Sequence, residues 1–341
     1  MKGRLPIALL AVGLAGLGLA LVAVGRSAGS LRAMERVRHA LGPSRPSLSG
    51  EAVVGTRASG TWTERRARVT ERGSVTQLRW LDDPGGRTSL DDGVRLWELD
   101  PRGRVALLRG ESPARVNIER LAANYRAEFI GWRVLADHAT QGIRLRSRHY
   151  GDVAARLWVE PVTGALLGQE TLGTDGRVAT RTLFTRLDPD NDAPGIAPGI
   201  PPGWRRRSPV GQVARPLAPN ALADLGGVGV REPLRVPKGY RPVGTYQIRR
   251  GGRALVELRY HDGLRALSVF ERIPRGPGYG RGGGRWMHRG GGGGAGRHDR
   301  AWDAIALSGR TAVRERRDDI EIVAVGDVPR RALVQMVESI P

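Results

Sequence analysis

The chain has 341 residues, which is long enough for two ordinary domains. Its 55 Lys and Arg residues exceed its 34 Asp and Glu residues, so the formal net charge is +21. Only Lys2 and Lys238 are lysines, and the arginines are spread along the chain, which favours surface ion pairs over a nucleic-acid-binding stripe. The absence of cysteine excludes disulfides, thiolate catalysis and cysteine-ligated metal sites.

The amino terminus has the pattern of an export signal. Lys2 and Arg4 precede an uncharged, apolar run over residues 5–24. The run is close to the ~20 residues that span a bilayer, so residues 1–29 are either a cleaved signal peptide or an uncleaved anchor in the inner membrane. Both alternatives place the remaining residues in the periplasm or otherwise outside the cytoplasm.

Helical spacing occurs twice in residues 30–187, the first predicted domain. The segment SLRAMERVRHALG places Leu31, Met34, Val37 and Leu41 on one apolar stripe. The segment ESPARVNIERLAANY is the second helix, with Ser112 as its predicted N-cap.

The rest of this domain alternates apolar and polar residues with period two, and turn signals arrive about every ten residues. In RLWVEPVTGALLGQETLGTDGRV, residues 156–178, Thr163-Gly164 and Asp175-Gly176 predict two hairpin turns between strands. The sequence therefore predicts antiparallel strand meanders packed with helices.

Residues 188–229 are so rich in proline and glycine that they predict a linker without persistent secondary structure. Residues 230–341 form the second, smaller predicted domain, with several strands and a closing helix over VPRRALVQMVESI. A Gly/Arg-rich tract over residues 275–300 interrupts it. Arginine and aromatics interleaved with glycine resemble single-strand nucleic-acid binders, whereas the composition also fits a long loop of an exported domain, which we favour.

Candidate catalytic and metal-binding residues are sparse. His288 and His298 lie near each other, but a metal site needs three or four ligands on rigid elements, so no metal or cofactor is expected. The paired aspartates lie at predicted turns, where aspartate is common. No phosphate-binding loop or nucleophile motif occurs in the sequence, so we expect a protein that is not an enzyme.

Five tryptophans lie in predicted strands of the first domain. Core packing is one interpretation; the other is that they line a concave groove that holds an acyl chain. The candidate lipid-groove residues are Trp62, Trp80, Trp97, Trp132 and Trp158.

The order of elements and several short motifs resemble the MucB/RseB family of periplasmic regulators of envelope-stress sigma factors. In the second domain the similarity rests on VPKGYRPVGTY, YHDGLRALSVFE and VAVGDVPRRALVQMVESI. In the first domain it rests on Asn124, Tyr125, Leu157, Trp158, Thr163, Gly164, Asp175, Gly176 and Phe184. The chain departs from the family pattern at the turn near Asp137, which lacks the usual Ala-Gly-Arg, and in the inserted Gly/Arg tract.

This resemblance implies an α+β fold: a half-open antiparallel β-barrel wrapped around helices, similar to LolA-like lipoprotein carriers, plus a smaller α+β carboxy-terminal domain. It implies a non-enzymatic regulator that binds the extracytoplasmic part of a membrane-bound anti-sigma factor and senses envelope stress, with a lipid or lipoprotein acyl chain as a further ligand. The alternative is a periplasmic lipid or lipoprotein carrier. A nucleic-acid partner is not expected, because it would require the chain to stay inside the cell.

Overall fold

The computed structural model describes residues 29–58, 60–111, 116–188, 200–207, 215–217, 231–250, 253–272, 310–317 and 320–341. These residues form two sheets and three helices, so the described part of the chain is mostly β-structure. The apolar run over residues 5–24, most of the predicted linker and the Gly/Arg tract lie outside the described residues. The domain boundaries therefore stay predictions.

The first sheet contains twelve strands and is open. Its strands are β1 (Leu48–Ala58), β2 (Thr61–Arg72), β3 (Val75–Trp80), β4 (Thr88–Asp91), β5 (Arg95–Asp100), β6 (Val105–Glu111), β7 (Tyr125–Leu135), β8 (His138–Ser147), β9 (Val153–Val159), β10 (Leu166–Leu172), β11 (Val178–Leu187) and β12 (Arg205–Arg207). The order is β12-β6-β5-β4-β3-β2-β1-β11-β10-β9-β8-β7. Because β1 pairs with β11, two antiparallel meanders are joined into one sheet. No pairing joins β12 to β7 among the described strands, so the predicted barrel-like curvature stays a prediction.

Helix α1, over residues 29–41, and α2 (Ile118–Asn124) cover one face of strands β7–β9. Met34 and Val37 of α1 pack with sheet residues such as Ile143, Leu145 and Leu157 in one buried cluster. Leu31 is 73% exposed, contrary to the predicted stripe, because the buried side of the helix carries Ala33 and Ala40 instead. We call the face of the sheet that contacts α1 the helix face.

The second helix begins later than the sequence predicted. Its N-cap is Asn117, whose side-chain oxygen accepts a hydrogen bond from the Arg120 backbone N–H at 2.9 Å. Ser112 lies outside the described residues. The seven-residue helix ends at Asn124, and the chain continues directly into β7.

The far half of the first sheet buries its opposite face. Leu90, Trp97 and Leu108, in β4–β6, form a cluster that packs against Ile200 and Trp204. These last two residues belong to the predicted linker, and the next three, Arg205–Arg207, pair in parallel with β6 as β12. The prediction that no element persists in the linker is therefore wrong at Arg205–Arg207, because these three residues include no glycine or proline and lie beside an available strand edge. Arg215–Pro216 is a second short strand within the predicted linker.

The second sheet has six strands: β13 (Arg215–Pro216), β14 (Arg241–Arg250), β15 (Arg253–His261), β16 (Ala266–Arg272), β17 (Thr311–Arg317) and β18 (Ile320–Gly326). Their order is β13-β14-β15-β16-β18-β17, with antiparallel pairing throughout. Helix α3 (Arg330–Glu338) closes the chain and packs on this sheet. Leu333, Met336 and Val337 of this helix are buried, and so is Ile340, which follows it. None of the three helices described is long and apolar enough to cross a membrane.

Candidate functional site

The strand register places the five candidate groove tryptophans on both faces of the first sheet. Trp80 pairs with Ala67, and Trp132 pairs with Gln141, so both point to the helix face. The other three point to the opposite face: Trp62, Trp97 and Trp158. The structure therefore does not bring the five indoles to one surface.

Each of the three tryptophans on the opposite face has its own neighbours. Trp62 lies between the guanidinium groups of Arg57 and Arg181, 5.5 and 5.4 Å from its ring centre, and donates to Glu64 at 2.9 Å. Trp97 is buried in the β4–β6 cluster. Trp158 packs over Gly168. These contacts favour the packing interpretation of these three residues, and the acyl-chain groove stays a prediction.

Many arginines are used in a row of ion pairs across the face opposite α1. The register aligns Glu128, Arg144, Arg156, Glu170, Arg181 and Glu64 on neighbouring strands, with Gly55 between the last two. The buried Glu170 carboxylate accepts from Arg156 at 3.1 Å and from Arg181 at 2.8 Å. This face is thus stabilised by matched charges, as the dispersed arginines indicated.

A cavity of about 590 Å³ lies on the helix face, between α1, strands β7–β9 and the β9–β10 loop. Its volume falls within the range of about 300–1,000 Å³ that is usual for ligand pockets. Phe129, Val159 and Val162 supply apolar lining, Arg32 and Arg36 of α1 supply positive charge, and the remaining polar lining is Glu35, His39 and Gln141. Such a lining suits an amphipathic ligand, one with an apolar part and an anionic or polar part.

The β9–β10 loop that forms one cavity wall is rigidly built. The Glu160 carboxylate accepts hydrogen bonds from the backbone N–H groups of Val162, at 3.0 Å, and Thr163, at 2.6 Å, and from the Thr163 hydroxyl. Burial disfavours the charged form of Glu160, but these hydrogen bonds outweigh it and lower its pKa. The predicted turn at residues 161–164 is therefore confirmed, and Glu160 holds its shape.

Gly164 lies where this loop meets α1. Its φ of +77° favours glycine, and a Cβ there would come within 2.0 Å of the His39 ring. The His39 ring also lies 3.3 Å from the Thr163 carbonyl oxygen, and Arg36 donates to the Pro161 carbonyl at 3.3 Å. The Thr-Gly pair noted in the sequence thus fixes the loop against the helix.

The junction between the two sheets is a second cluster of buried polar contacts. The Tyr125 hydroxyl donates to the Asp262 carboxylate at 2.5 Å, and the Asn124 side-chain amide donates to the carbonyls of Gly239 and Asp262 at 3.0 and 2.7 Å. Gly263, with φ of +107°, approaches α2 so closely that a Cβ would lie 2.3 Å from the Leu121 nitrogen. Asn124-Tyr125 of the first domain therefore meets Asp262-Gly263 of the segment YHDGLRALSVFE.

Arg265 completes the junction from the second sheet. Its buried guanidinium donates to Asp152 at 2.6 Å and to the Leu172 carbonyl at 3.0 Å, both in the part of the chain that forms the first sheet. Leu264 packs against the buried cluster under α1, and Tyr150 packs against the core of the second sheet. Each sheet thus contributes an apolar side chain to the other's core, and buried polar groups join them.

Sequence reasoning missed most of the cavity and junction residues. Arg32, Arg36 and His39 lie in α1, whose apolar stripe predicts the helix but says nothing of its polar residues. Asp152 lies in no motif noted in the sequence, and Arg265 lies in YHDGLRALSVFE, more than a hundred residues further along the chain. Asn124, Tyr125 and Asp262 were noted only within motifs, which did not indicate that they contact one another.

Comparison with solved structures identifies the fold. The crystal structure of MucB matches with a TM-score of 0.51 at 17% identity, covering 92% of this chain and 98% of that one. The crystal structure of MucB in complex with MucA(peri) matches with a TM-score of 0.52 at 17% identity, covering 91% and 97%. The complex structure of Pseudomonas aeruginosa MucA/MucB matches with a TM-score of 0.51 at 18% identity, covering 91% and 98%. No protein-family model and no curated protein matches the sequence. The chain therefore has a MucB-like fold.

Proposed function

We propose that this protein is an exported, non-enzymatic regulator that binds the extracytoplasmic part of a membrane-bound anti-sigma factor and responds to envelope stress. One observation carries the proposal: the structural match to MucB, including MucB solved in complex with a part of MucA, covers 91–92% of this chain. A match of that extent includes the second sheet as well as the first. Shared fold alone does not determine function, so the partner must be tested directly.

The junction supports this proposal over a simple carrier. A carrier of acyl chains needs only the first sheet and its helices, yet here a second sheet is joined to it by buried hydrogen bonds from Asn124, Tyr125 and Arg265. Two modules held in one arrangement provide a composite surface, which suits the binding of another polypeptide.

The location of unusual titratable groups fits a binding role. Burial, and then the nearby charge of Asp262, raise the pKa of the Tyr125 hydroxyl, and burial raises the pKa of Glu271 to about 7. Tyr125 lies in the junction and Glu271 in the second sheet, so neither lies in the cavity, and Glu160 in the cavity wall has its pKa lowered by the hydrogen bonds that shape its own loop. Active sites usually place such groups where substrate binds.

The proposal is tested by capture in the native cell. The full chain carrying a carboxy-terminal affinity tag is crosslinked, and the bound proteins are identified by mass spectrometry. We expect a single-span membrane protein whose cytoplasmic part binds a sigma factor. Its extracytoplasmic segment should bind the purified chain and be cleaved more slowly by proteases in its presence. Cell fractionation should place the chain in the periplasm or on the inner membrane.

The second candidate function is that of a lipid or lipoprotein carrier. The cavity favours it, because apolar lining beside Arg32 and Arg36 matches an acyl chain with an anionic head. Recovery of co-purifying lipids or lipoproteins, with no sigma-factor-binding protein among the crosslinked partners, would establish the carrier and contradict the regulator. Cytosolic location of the untagged chain would exclude both.

A further inference from the structure

The outer edge of β7 is a long strand edge that no described strand covers. The two sheets have four outer edges: β12 is three exposed arginines, and β17 ends in the charged run Arg314–Arg317. At the fourth edge, β13 covers β14 only at Tyr246–Gln247, and the rest of β14 is interrupted by Pro242 and by a register irregularity before Gly244. Short or charged edge strands avoid pairing with other chains. Strand β7 has eleven residues, and no described strand pairs with its outer edge.

The second half of β7 exposes large apolar side chains. Phe129, Ile130, Trp132 and Val134 are 37%, 40%, 66% and 67% exposed, all within six residues. Single exposed apolar residues are ordinary, but a contiguous group on an unpaired strand edge marks an interaction site. We call residues 129–134 the β7 edge.

The β7 edge borders the cavity. Phe129 belongs to both, and Trp132 pairs with Gln141, another cavity residue. Val162, on the opposite cavity wall, is 89% exposed. An extended chain laid along the edge would therefore reach a space large enough to receive one of its apolar side chains.

Charge around the edge selects the occupant. Arg126 and Arg133 are exposed on β7 itself, and Arg32 and Arg36 line the cavity. Two of the nearby acids have partners: Glu128 pairs with Arg144 at 2.6 Å, and Glu160 accepts hydrogen bonds from its own loop. Glu35 is the acid in the cavity lining, against the two arginines there. A second copy of the chain would bring the same arginines and a net charge of +21, so an acidic partner fits better.

We propose that the β7 edge binds an extended, acidic polypeptide segment by strand addition, with an apolar side chain of that segment entering the cavity beside Phe129. Backbone hydrogen bonds to the edge supply affinity, and the cavity and the arginines select the sequence. The identity of the natural segment, the extracytoplasmic part of an anti-sigma factor, rests on the proposed function. The binding mode itself does not.

The test uses the full chain and a fluorescent peptide of about ten residues in which valine and glutamate alternate. We expect binding that protects from hydrogen exchange those amides of residues 129–134 that point away from β8. The double variant Trp132→Ser with Val134→Ser, both positions being exposed, removes the apolar side chains without changing the charge and should bind at least about tenfold more weakly. The control Val94→Ser, at a position 66% exposed and outside the β7 edge, should bind like the unmodified chain.

A second peptide separates strand addition from simple apolar contact. Methylation of alternate backbone nitrogens removes the donors that a strand needs but keeps the side chains, so this peptide should not bind. Equal binding of both peptides, no binding of either, or unchanged binding by the double variant would overturn the inference. The inference would also fail if the double variant lost binding to anionic phospholipid vesicles but still bound the peptide.

The outcomes also separate this inference from the proposed function. If the anti-sigma factor is captured but binds the native chain and the double variant equally, the proposed regulatory function is supported and the β7 edge is not the binding site of the anti-sigma factor. If the peptide binds at the β7 edge but no sigma-factor-binding protein is captured, the binding mode stands and the regulator proposal fails.

Discussion

The hydroxyl of Tyr125 lies 2.5 Å from a carboxylate oxygen of Asp262, which joins the first strand after α2 to the turn after β15. The other carboxylate oxygen accepts from the backbone N–H groups of Leu264 and Arg265 at 2.9 and 2.7 Å. One buried carboxylate thus shapes its own turn and binds the other sheet.

Replacing Tyr125 by Phe should lower the free energy of unfolding by about 2 kcal/mol, because it removes a donor from a buried carboxylate. Chemical denaturation measures the change. Tyr240→Phe is the matched control, since the Tyr240 hydroxyl is buried without a hydrogen-bond partner among the described residues. That variant should be neutral or stabilising, and equal losses in both variants would contradict the assigned role of Tyr125.

Gly263→Ala should destabilise the junction by about 3 kcal/mol or more, because the new Cβ would meet the backbone of α2 and the φ of +107° is unfavourable. Hydrogen exchange of residues 117–124 should rise. Gly176→Ala is the control: φ there is +75° with open space around the Cβ position, so about 1 kcal/mol is expected. Similar losses for the two variants would show that the close approach is unimportant.

The junction should weaken in mild acid through His261. Its Nδ1 accepts a hydrogen bond from the Gly263 backbone N–H at 3.0 Å. Burial lowers the pKa of His261 below the ordinary 6.5. The negative charge of Asp262 opposes this shift, and the positive charge of Arg120 adds to it. The unfolded chain therefore binds a proton that the folded chain resists, so stability is complete above about pH 6.5 and declines as pH falls below it.

His261→Asn keeps an acceptor near the Nδ1 position but cannot be protonated. Thermal unfolding between about pH 7.5 and 5 should therefore show a smaller decline for the variant than for the native chain. Parallel declines would assign the acid sensitivity to other groups.

Glu271→Gln should stabilise the protein in mild alkali. One oxygen of the buried Glu271 carboxylate has no partner among the described residues, and burial raises its pKa from 4.5 to about 7. The folded chain holds a proton that the unfolded chain loses, so its stability is greatest below about pH 4.5 and declines as pH rises to about 7.

At about pH 8 the Gln variant should be about 1–2 kcal/mol more stable than the native chain, with no difference near pH 5. Glu257→Gln is the control, because the Glu257 carboxylate accepts from Arg259 and Ser268 at 2.8 Å each and should lose stability at pH 8. Destabilisation by both substitutions at pH 8 would contradict the role given to Glu271.

The local elements were largely predictable from the sequence. Turn residues such as Gly164, Asp175 and Gly176 indicated hairpins that the strand pairing confirms. The start of α2 was mispredicted, since Asn117 caps the helix and the sequence offered Ser112 as an equally suitable residue. The linker was mispredicted where Arg205–Arg207 form a strand, because an available edge in the tertiary structure overrides local composition.

The sequence by itself determined the alternation, the turns and the helix stripes, because these depend on neighbours within a few residues. Only the tertiary structure decided which face of each strand is buried. A twelve-stranded sheet that buries one face under α1 and the other under Ile200 and Trp204 divides its tryptophans between the two faces. The contact of Tyr125 with Asp262 and the exposure of β7 were likewise decided by tertiary structure, because strand order and docking depend on residues more than a hundred positions apart.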